Sequence, residues 1–257
     1  MEWYVYLFAM IGGVAAGIIN TLAGSGSLIT LPLLIFLGLP ANIANATNRV
    51  GVLFQNIVAV FSLKKSSEIK VQDTLWLIIP SVAGGIAGAY TVVNMDEKIL
   101  RKVIGAVMVI ILFLVIFNSE KWLREHSEEG NHHKSPGMIF LFFVAGIYGG
   151  FIQASVGIFL LSALVLLLKY NFNRANFLKN LLVLCFTIPA LLIFIFHNQV
   201  NWGLGLLMAT GQSIGAWLAV LFATQFKNSA IWTRRLLIII IIISIIELLE
   251  LRKIFFN

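Results

Sequence analysis

Charged residues are scarce in this chain. Only 11% of its 257 residues are Asp, Glu, Lys or Arg, with 18 basic and 11 acidic side chains, whereas 60% are hydrophobic. A soluble domain carries about 25% charged residues, so these charges cannot cover a 28.4 kDa body in water. The shortage excludes an ordinary soluble enzyme, a nucleic-acid-binding domain and a disordered protein. With a mean hydropathy of +0.96, the composition predicts an all-α polytopic membrane protein.

Motifs for chemistry are missing as well. The single cysteine, Cys185, cannot form an internal disulfide. The chain has no phosphate-binding loop of the GxxxxGK[ST] type, which excludes an ATP-driven motor within it. The apolar segments hold no Ser/His/Asp set, paired carboxylates or zinc motif, and His126, His132 and His133 are poorly spaced for a metal. We therefore expect no enzymatic activity and no catalytic residue, and we expect neither a metal nor a cofactor.

Ten apolar segments follow one another along the chain. They cover 4–22, 28–38, 45–63, 74–93, 99–117, 138–155, 158–168, 176–196, 203–225 and 234–251. A membrane-spanning helix needs about 20 residues, and the second and seventh segments have only about 11. Both short segments follow a run of small residues, Ala23–Ser27 and Ala154–Gly157. Because Met1–Tyr4 lacks a basic region, we expect no cleavable signal and a first segment that stays in the protein.

The chain divides into two similar halves. Residues 118–136 form the long polar stretch, which predicts membrane repeats at 1–117 and 137–257 with a cytoplasmic linker between them. Glycine pairs support the repeat, and their spacing favours close contacts between helices. These pairs are Gly13/Gly17 and Gly84/Gly88 in the first half, and Gly146/Gly150 and Gly211/Gly215 in the second.

Loop charges predict that the two halves have opposite orientations. The loop with Lys64, Lys65 and Lys70 corresponds to 197–202, which has no Lys or Arg. Cytoplasmic loops carry the excess of basic residues, so corresponding loops lie on opposite sides. The five segments of each half then form a broken or re-entrant pair plus three spans. We expect a multi-pass protein of the bacterial inner membrane with an inverted repeat and both termini outside.

An interrupted helix in each half predicts a substrate site near the middle of the bilayer. A break leaves backbone N–H groups without partners, and helix N-termini favour anions. Glycine lets a ligand approach the backbone, and serine adds a hydroxyl donor. The candidates at the two breaks are Gly24, Ser25, Gly26 and Ser27, and Gln153 and Ser155. The alternative is a tight helical hairpin without a ligand; for Gln153 it is a hydrogen bond between helices, as it is for Asn20 and Asn56.

Two cations near helix starts are the second candidate feature. Arg49 follows Thr47 and Asn48, and in the repeat alignment this place corresponds to Lys179 and Asn180. A charge at membrane depth is costly and is usually functional. Two cations related by a twofold axis would suit a small oxyanion. The alternative is that both side chains extend to the lipid headgroups.

These residues resemble the sulfite exporter TauE/SafE family. The matching motifs are Gly13-x-x-x-Gly17, Ala23-Gly-Ser-Gly-Ser-Leu-Ile-x-Leu-Pro-Leu-Leu34, Leu37-Gly-Leu-Pro40 and Ala44-x-Ala-Thr-Asn48. The second repeat departs from this pattern, because Gly157 is the single glycine of its break and no proline corresponds to Pro32. The resemblance implies a carrier of sulfite, sulfonates or related sulfoacids, with a site lined by Gly24–Ser27, Thr47 and Asn48.

We therefore expect a secondary transporter that exports a small sulfur-containing oxyanion by alternating access. The alternatives are an anion channel and a membrane scaffold or receptor that does not transport. The expected partners are a small anionic substrate, the lipid bilayer and further copies of this chain, without nucleic acid.

Overall fold

The structure, a computed structural model, describes residues 3–67, 71–117 and 135–223. Within these ranges it contains nine α-helices and no strand. The helices are α1 (Trp3–Ala23), α2 (Ser27–Phe36), α3 (Ala41–Ser67), α4 (Leu75–Val93), α5 (Glu97–Phe117), α6 (Pro136–Phe151), α7 (Val156–Ser162), α8 (Phe172–Phe196) and α9 (Trp202–Ala223). A 3₁₀ turn, Val71–Thr74, precedes α4, and a π-helical turn, Ala163–Leu167, continues α7.

The apolar segments predict the described helices closely. The first nine segments each correspond to one helix, α7 together with its π turn counting as one, and the second and seventh are short. The tenth segment, 234–251, and residues 118–134 of the expected linker, with its three histidines, lie outside the described residues. The helical class is therefore confirmed for the part of the chain that the structure covers.

Three of the described helices are long and apolar enough to cross a membrane. They are Leu75–Val93, Phe172–Phe196 and Trp202–Leu221. Outward faces are apolar too: the side chains of Phe61, Ile79 and Phe196 are 73%, 65% and 78% exposed. Such surfaces fit a lipid environment and would be a liability in water.

Helix ends follow local rules. Ser135 Oγ accepts the Met138 N–H at 3.3 Å before α6, with Pro136 in the first turn. Asn171 Oδ1 accepts the Arg174 N–H at 2.9 Å before α8. Both side chains satisfy N–H groups that a helix start leaves unpaired. After α2, Gly38 adopts a left-handed φ of 93°, which ends that helix in the usual glycine manner.

Glycines bring two pairs of helices into close contact, as their spacing predicts. On the α4–α6 interface, a Cβ added to Gly84, Gly88, Gly146 or Gly150 would overlap a backbone carbonyl of the facing helix. On the α1–α9 interface, Gly17 and Gly215 show the same fit. Helix α3 packs on both α8 and α9, and α8 packs on α4. The C-terminal ends of α1 and α6 lie against the pair formed by α3 and α8.

Candidate functional site

The first break separates α1 from α2. Gly24 has a φ of 78° and its N–H donates to the Asn20 carbonyl at 2.8 Å. The Asn20 side chain spans the break, because its Oδ1 accepts the Gly26 N–H at 3.3 Å. Its Nδ2 donates to Gln55 Oε1 on α3 at 3.0 Å. One asparagine therefore fixes the break and ties it to α3.

The second break separates α6 from α7, and it is present although the sequence has few glycines there. Gln153 and Ser155 adopt φ values of 66° and 56°, a conformation that costs a residue with a side chain roughly 1–2 kcal/mol. Tyr148 Oη donates to the Ala154 carbonyl, and Gln153 Nε2 donates to Thr187 Oγ1 at 2.6 Å. These bonds hold the break in place of glycine.

The two breaks touch each other through glycine. A Cβ on Gly24 would lie 2.5 Å from the Gly157 carbonyl carbon, and one on Gly157 would lie 2.6 Å from the Gly24 Cα. No real side chain tolerates such distances. The backbones of the two interrupted helices therefore cross in direct contact.

Lys179 on α8 bonds the C-terminal end of α1. Its side chain is 1% exposed, and Nζ donates to the Asn20 and Thr21 carbonyls at 3.0 and 3.1 Å. These carbonyls are among the last four of α1, which have no partner within the helix. They also lie at the negative end of the helix dipole, which favours a cation.

Arg49 on α3 bonds the C-terminal end of α6 in the same way. Its side chain is fully buried; Nη1 donates to the Gly149 carbonyl at 3.0 Å and Nη2 to the Gly150 carbonyl at 2.6 Å. Longer bonds reach the Phe151 carbonyl at 3.3 Å and Gln153 Oε1 at 3.5 Å. The guanidinium carbon also lies 4.8 Å from the centre of the Phe194 ring. Arg49 is thus surrounded by carbonyl groups and an aromatic face.

The two cations therefore have reciprocal partners. Each comes from one half of the chain and bonds the end of the interrupted helix in the other half. Both are buried, which rules out the alternative that they extend to the headgroups. Most of their N–H groups bind backbone carbonyls, a use that sequence reasoning did not foresee because those carbonyls lie about 100 or more residues away.

A small cavity lies beside Lys179. Its volume is about 10 Å³, close to what a single water molecule needs. The lining residues are Asn20, Ser27, Val52, Asn56, Gln153, Val156, Gly157, Lys179, Asn180 and Val183. Lys179 is the one charged residue among them. An oxyanion would need the cavity to widen.

Four of the predicted site residues line this cavity, namely Ser27, Gln153, Lys179 and Asn180. The other seven are not among its lining residues: Gly24, Ser25, Gly26, Thr47, Asn48, Arg49 and Ser155. Asn48 Oδ1 accepts Thr30 Oγ1 at 2.5 Å, which ties α3 to α2, and Thr47 Oγ1 accepts the Asn201 N–H at 2.9 Å. Asn20 and Asn56 also line the cavity, although their sequence positions predict only hydrogen bonds between helices. The signal for Asn20 is its place beside the first break, and the signal for Asn56 is its place on the same face of α3 as Val52.

The described residues offer no alternative metal chemistry. No group of three His, Cys, Asp or Glu side chains within them could hold a metal ion. The cavity wall has amides, a hydroxyl and an ammonium group but no carboxylate. Such a wall suits a small polar anion better than a cation.

Apolar spanning helices, interrupted helices and a central polar cavity are the features of a helical membrane transporter. The chain belongs to the sulfite exporter TauE/SafE family, whose family model matches residues 9–248. It is 30% identical over 202 residues to the probable membrane transporter protein YfcA of Escherichia coli (strain K12), covering 78% of this chain and 74% of that protein.

Two other relatives carry similar names. The probable membrane transporter protein ORF9 of Sinorhizobium sp. is 25% identical over 219 residues, 84% of this chain and 82% of that protein. A probable membrane transporter protein of Haemophilus influenzae is 23% identical over 207 residues, 79% of each chain. No solved structure matches the chain at a comparable level of significance. The expected class, a membrane transporter rather than an enzyme, agrees with these names.

Proposed function

We propose that this chain is a secondary transporter that exports a small sulfur-containing oxyanion, such as sulfite or an organosulfonate, across the bacterial inner membrane. The observation that carries the proposal is the polar cavity beside the two helix breaks. Its wall combines residues of both halves, from Asn20 and Asn56 to Gln153 and Asn180, around the Lys179 ammonium group. Lys179 offers the positive charge that an oxyanion requires.

Export needs no further energy source in this mechanism. An anion that leaves a negative-inside cell gains about 2.3 kcal/mol per charge for each 100 mV. The small volume of the cavity fits a closed conformation, which opens to one side at a time.

Alternating access would come from two halves of opposite orientation, 1–117 and 137–257. The packing supports this, because α1 lies on α9 as α6 lies on α4, while α3 and α8 pack on each other. Corresponding residues of the two halves also make corresponding contacts. Gly24 touches Gly157, and Arg49 and Lys179 each bond the interrupted helix of the other half. A movement of one half would then open the cavity to one side.

Flux into liposomes tests the proposed activity. Purified full-length protein should give saturable sulfite flux, and Lys179→Met should lower it at least tenfold, about the effect of losing one charge-assisted hydrogen bond. Lys98→Met is the matched control, since Lys98 is exposed at the start of α5. Absence of saturable flux of sulfite and sulfonates would contradict the proposal, and a current linear in concentration would favour a channel.

Labelling tests the proposed orientation. In a Cys185→Ala background, Lys64→Cys near the end of α3 and His197→Cys after α8 should react with an impermeant thiol reagent from opposite sides. We expect the residue at 64 to be cytoplasmic and the residue at 197 to be outside. Labelling of both from one side would contradict the inverted arrangement.

A further inference from the structure

Two asparagines on the cavity wall donate from their amides to their own helix, while their amide oxygens accept no hydrogen bond from the described residues. Asn56 Nδ2 donates to the Val52 carbonyl at 2.7 Å, and Asn180 Nδ2 donates to the Asn176 carbonyl at 2.8 Å. A flipped amide would place Oδ1 against the same carbonyl oxygen, so the helix itself fixes both orientations. Both side chains are at most 1% exposed, and their Oδ1 atoms have no partner among the described residues.

Each of the other two amides of the wall donates one of its two N–H groups to a neighbouring side chain. Asn20 Nδ2 donates to Gln55 Oε1, and Gln153 Nε2 donates to Thr187 Oγ1. Lys179 also keeps one donor, because an ammonium group has three N–H donors and the two α1 carbonyls take two of them. The cavity therefore offers donors from Lys179, from the Ser27 hydroxyl and from the second N–H groups of these two amides, together with two amide oxygens that have no partner among the described residues.

We propose that this cavity selects a singly charged oxyanion that carries its own hydrogen-bond donor, an O–H or N–H group, over an oxyanion that has acceptors alone. The charge binds Lys179, and the donor satisfies the oxygens of Asn56 and Asn180. An ion with acceptors alone leaves these buried oxygens unpaired, which disfavours it by about tenfold or more. The inference rests on the proposed anion transport and narrows its substrate class.

A matched pair of anions tests the inference. Sulfamate and methanesulfonate are tetrahedral monoanions of nearly the same size, and they differ by an amino group in place of a methyl group. Titrated against the thermal unfolding of the full-length protein in detergent, sulfamate should act at about tenfold lower concentration. It should also compete more strongly with sulfite flux in liposomes.

The outcomes separate this inference from the proposed function. Equal or stronger binding of methanesulfonate would overturn the donor requirement while leaving anion transport in place. If sulfamate, methanesulfonate and sulfite all fail to stabilise the protein and sulfite flux is absent, the proposed function itself fails.

Variants locate the effect. Asn180→Leu and Asn56→Leu should each reduce the sulfamate preference severalfold and retain methanesulfonate binding. Should either leucine prevent folding, Asn56→Thr and Asn180→Thr replace a fixed acceptor by a hydroxyl that can rotate, and the preference should still shrink. Ser81→Ala is the control, because Ser81 also bonds its own helix, to the Leu77 carbonyl, but lies outside the cavity wall. An unchanged preference in the asparagine variants would overturn the inference.

Discussion

The two helix breaks perform the same structural task with different residues. At the first, Gly24 adopts the left-handed conformation, whereas at the second Gln153 and Ser155 do so despite their side chains. Asn20 spans the first break through its side chain, and Tyr148 spans the second through its hydroxyl. The comparison shows that a break depends on polar side chains that hold the backbone, and glycine is one means among several.

The cations that bond the two broken helices differ in the same way. Arg49 distributes its donors over three carbonyls, lies over the Phe194 ring and does not line the cavity. Lys179 bonds two carbonyls and also lines the cavity. One charge is therefore committed to the fold, and the other is available to a ligand as well.

Gly24→Ala should have the largest effect on stability. The substitution adds left-handed strain of about 1–2 kcal/mol and an overlap with Gly157 of about 1–3 kcal/mol, so we expect a loss of about 3 kcal/mol in the free energy of unfolding. Denaturant unfolding in detergent measures it. Ser155→Gly is the control at the other break, where stability should stay within about 1 kcal/mol. A similar loss for both variants would show that the breaks do not differ.

Arg49→Leu should follow closely. It removes the donors to the α6 carbonyls, and hydrogen bonds to a charged group contribute about 1.5–3 kcal/mol, so we expect a loss of about 2.5 kcal/mol. Arg49→Lys should recover part of it, because one ammonium group cannot match the fork of a guanidinium. The same unfolding measurement decides; full recovery by lysine would contradict the multiple bonding of Arg49.

Lys179→Met should lose less stability than Arg49→Leu, about 1.5 kcal/mol, because fewer carbonyls lose a partner. Sulfite flux should show the opposite order. For each kcal/mol of lost stability, Lys179→Met should lose more flux than Arg49→Leu. Flux and unfolding measured on the same preparations give the comparison. If flux simply follows stability across the Arg49 and Lys179 variants, the two cations do not have separate roles.

Tyr148→Phe should have the smallest effect. It removes one neutral hydrogen bond to Ala154 in the second break, which contributes about 1 kcal/mol. Tyr90→Phe is the control, since Tyr90 is exposed on α4. Equal melting temperatures for the two variants would show that the tyrosine hydroxyl does not hold the break.

The sequence predicts the helices well, because apolar length decides where a membrane helix can lie. It also places Ser27, Gln153, Lys179 and Asn180 in the candidate site. It cannot supply the partners of Arg49 and Lys179, since backbone carbonyls of a distant helix leave no trace in residue types. The second break is hard to read for a related reason, because Gln153 and Ser155 are not residues that normally mark a left-handed turn. Whether the site residues bind substrate stays a prediction.

The reciprocal bonds also bear on how the protein is made. Arg49 is separated by about 100 residues from the carbonyls that bind it, and synthesis proceeds at about 5–20 residues per second. The Arg49 side chain is therefore complete roughly 5–20 s before α6 exists. During that interval it needs water, headgroups or an insertion factor as a substitute partner. The first half can therefore complete the buried hydrogen bonds of Arg49 only after α6 of the second half has been synthesised.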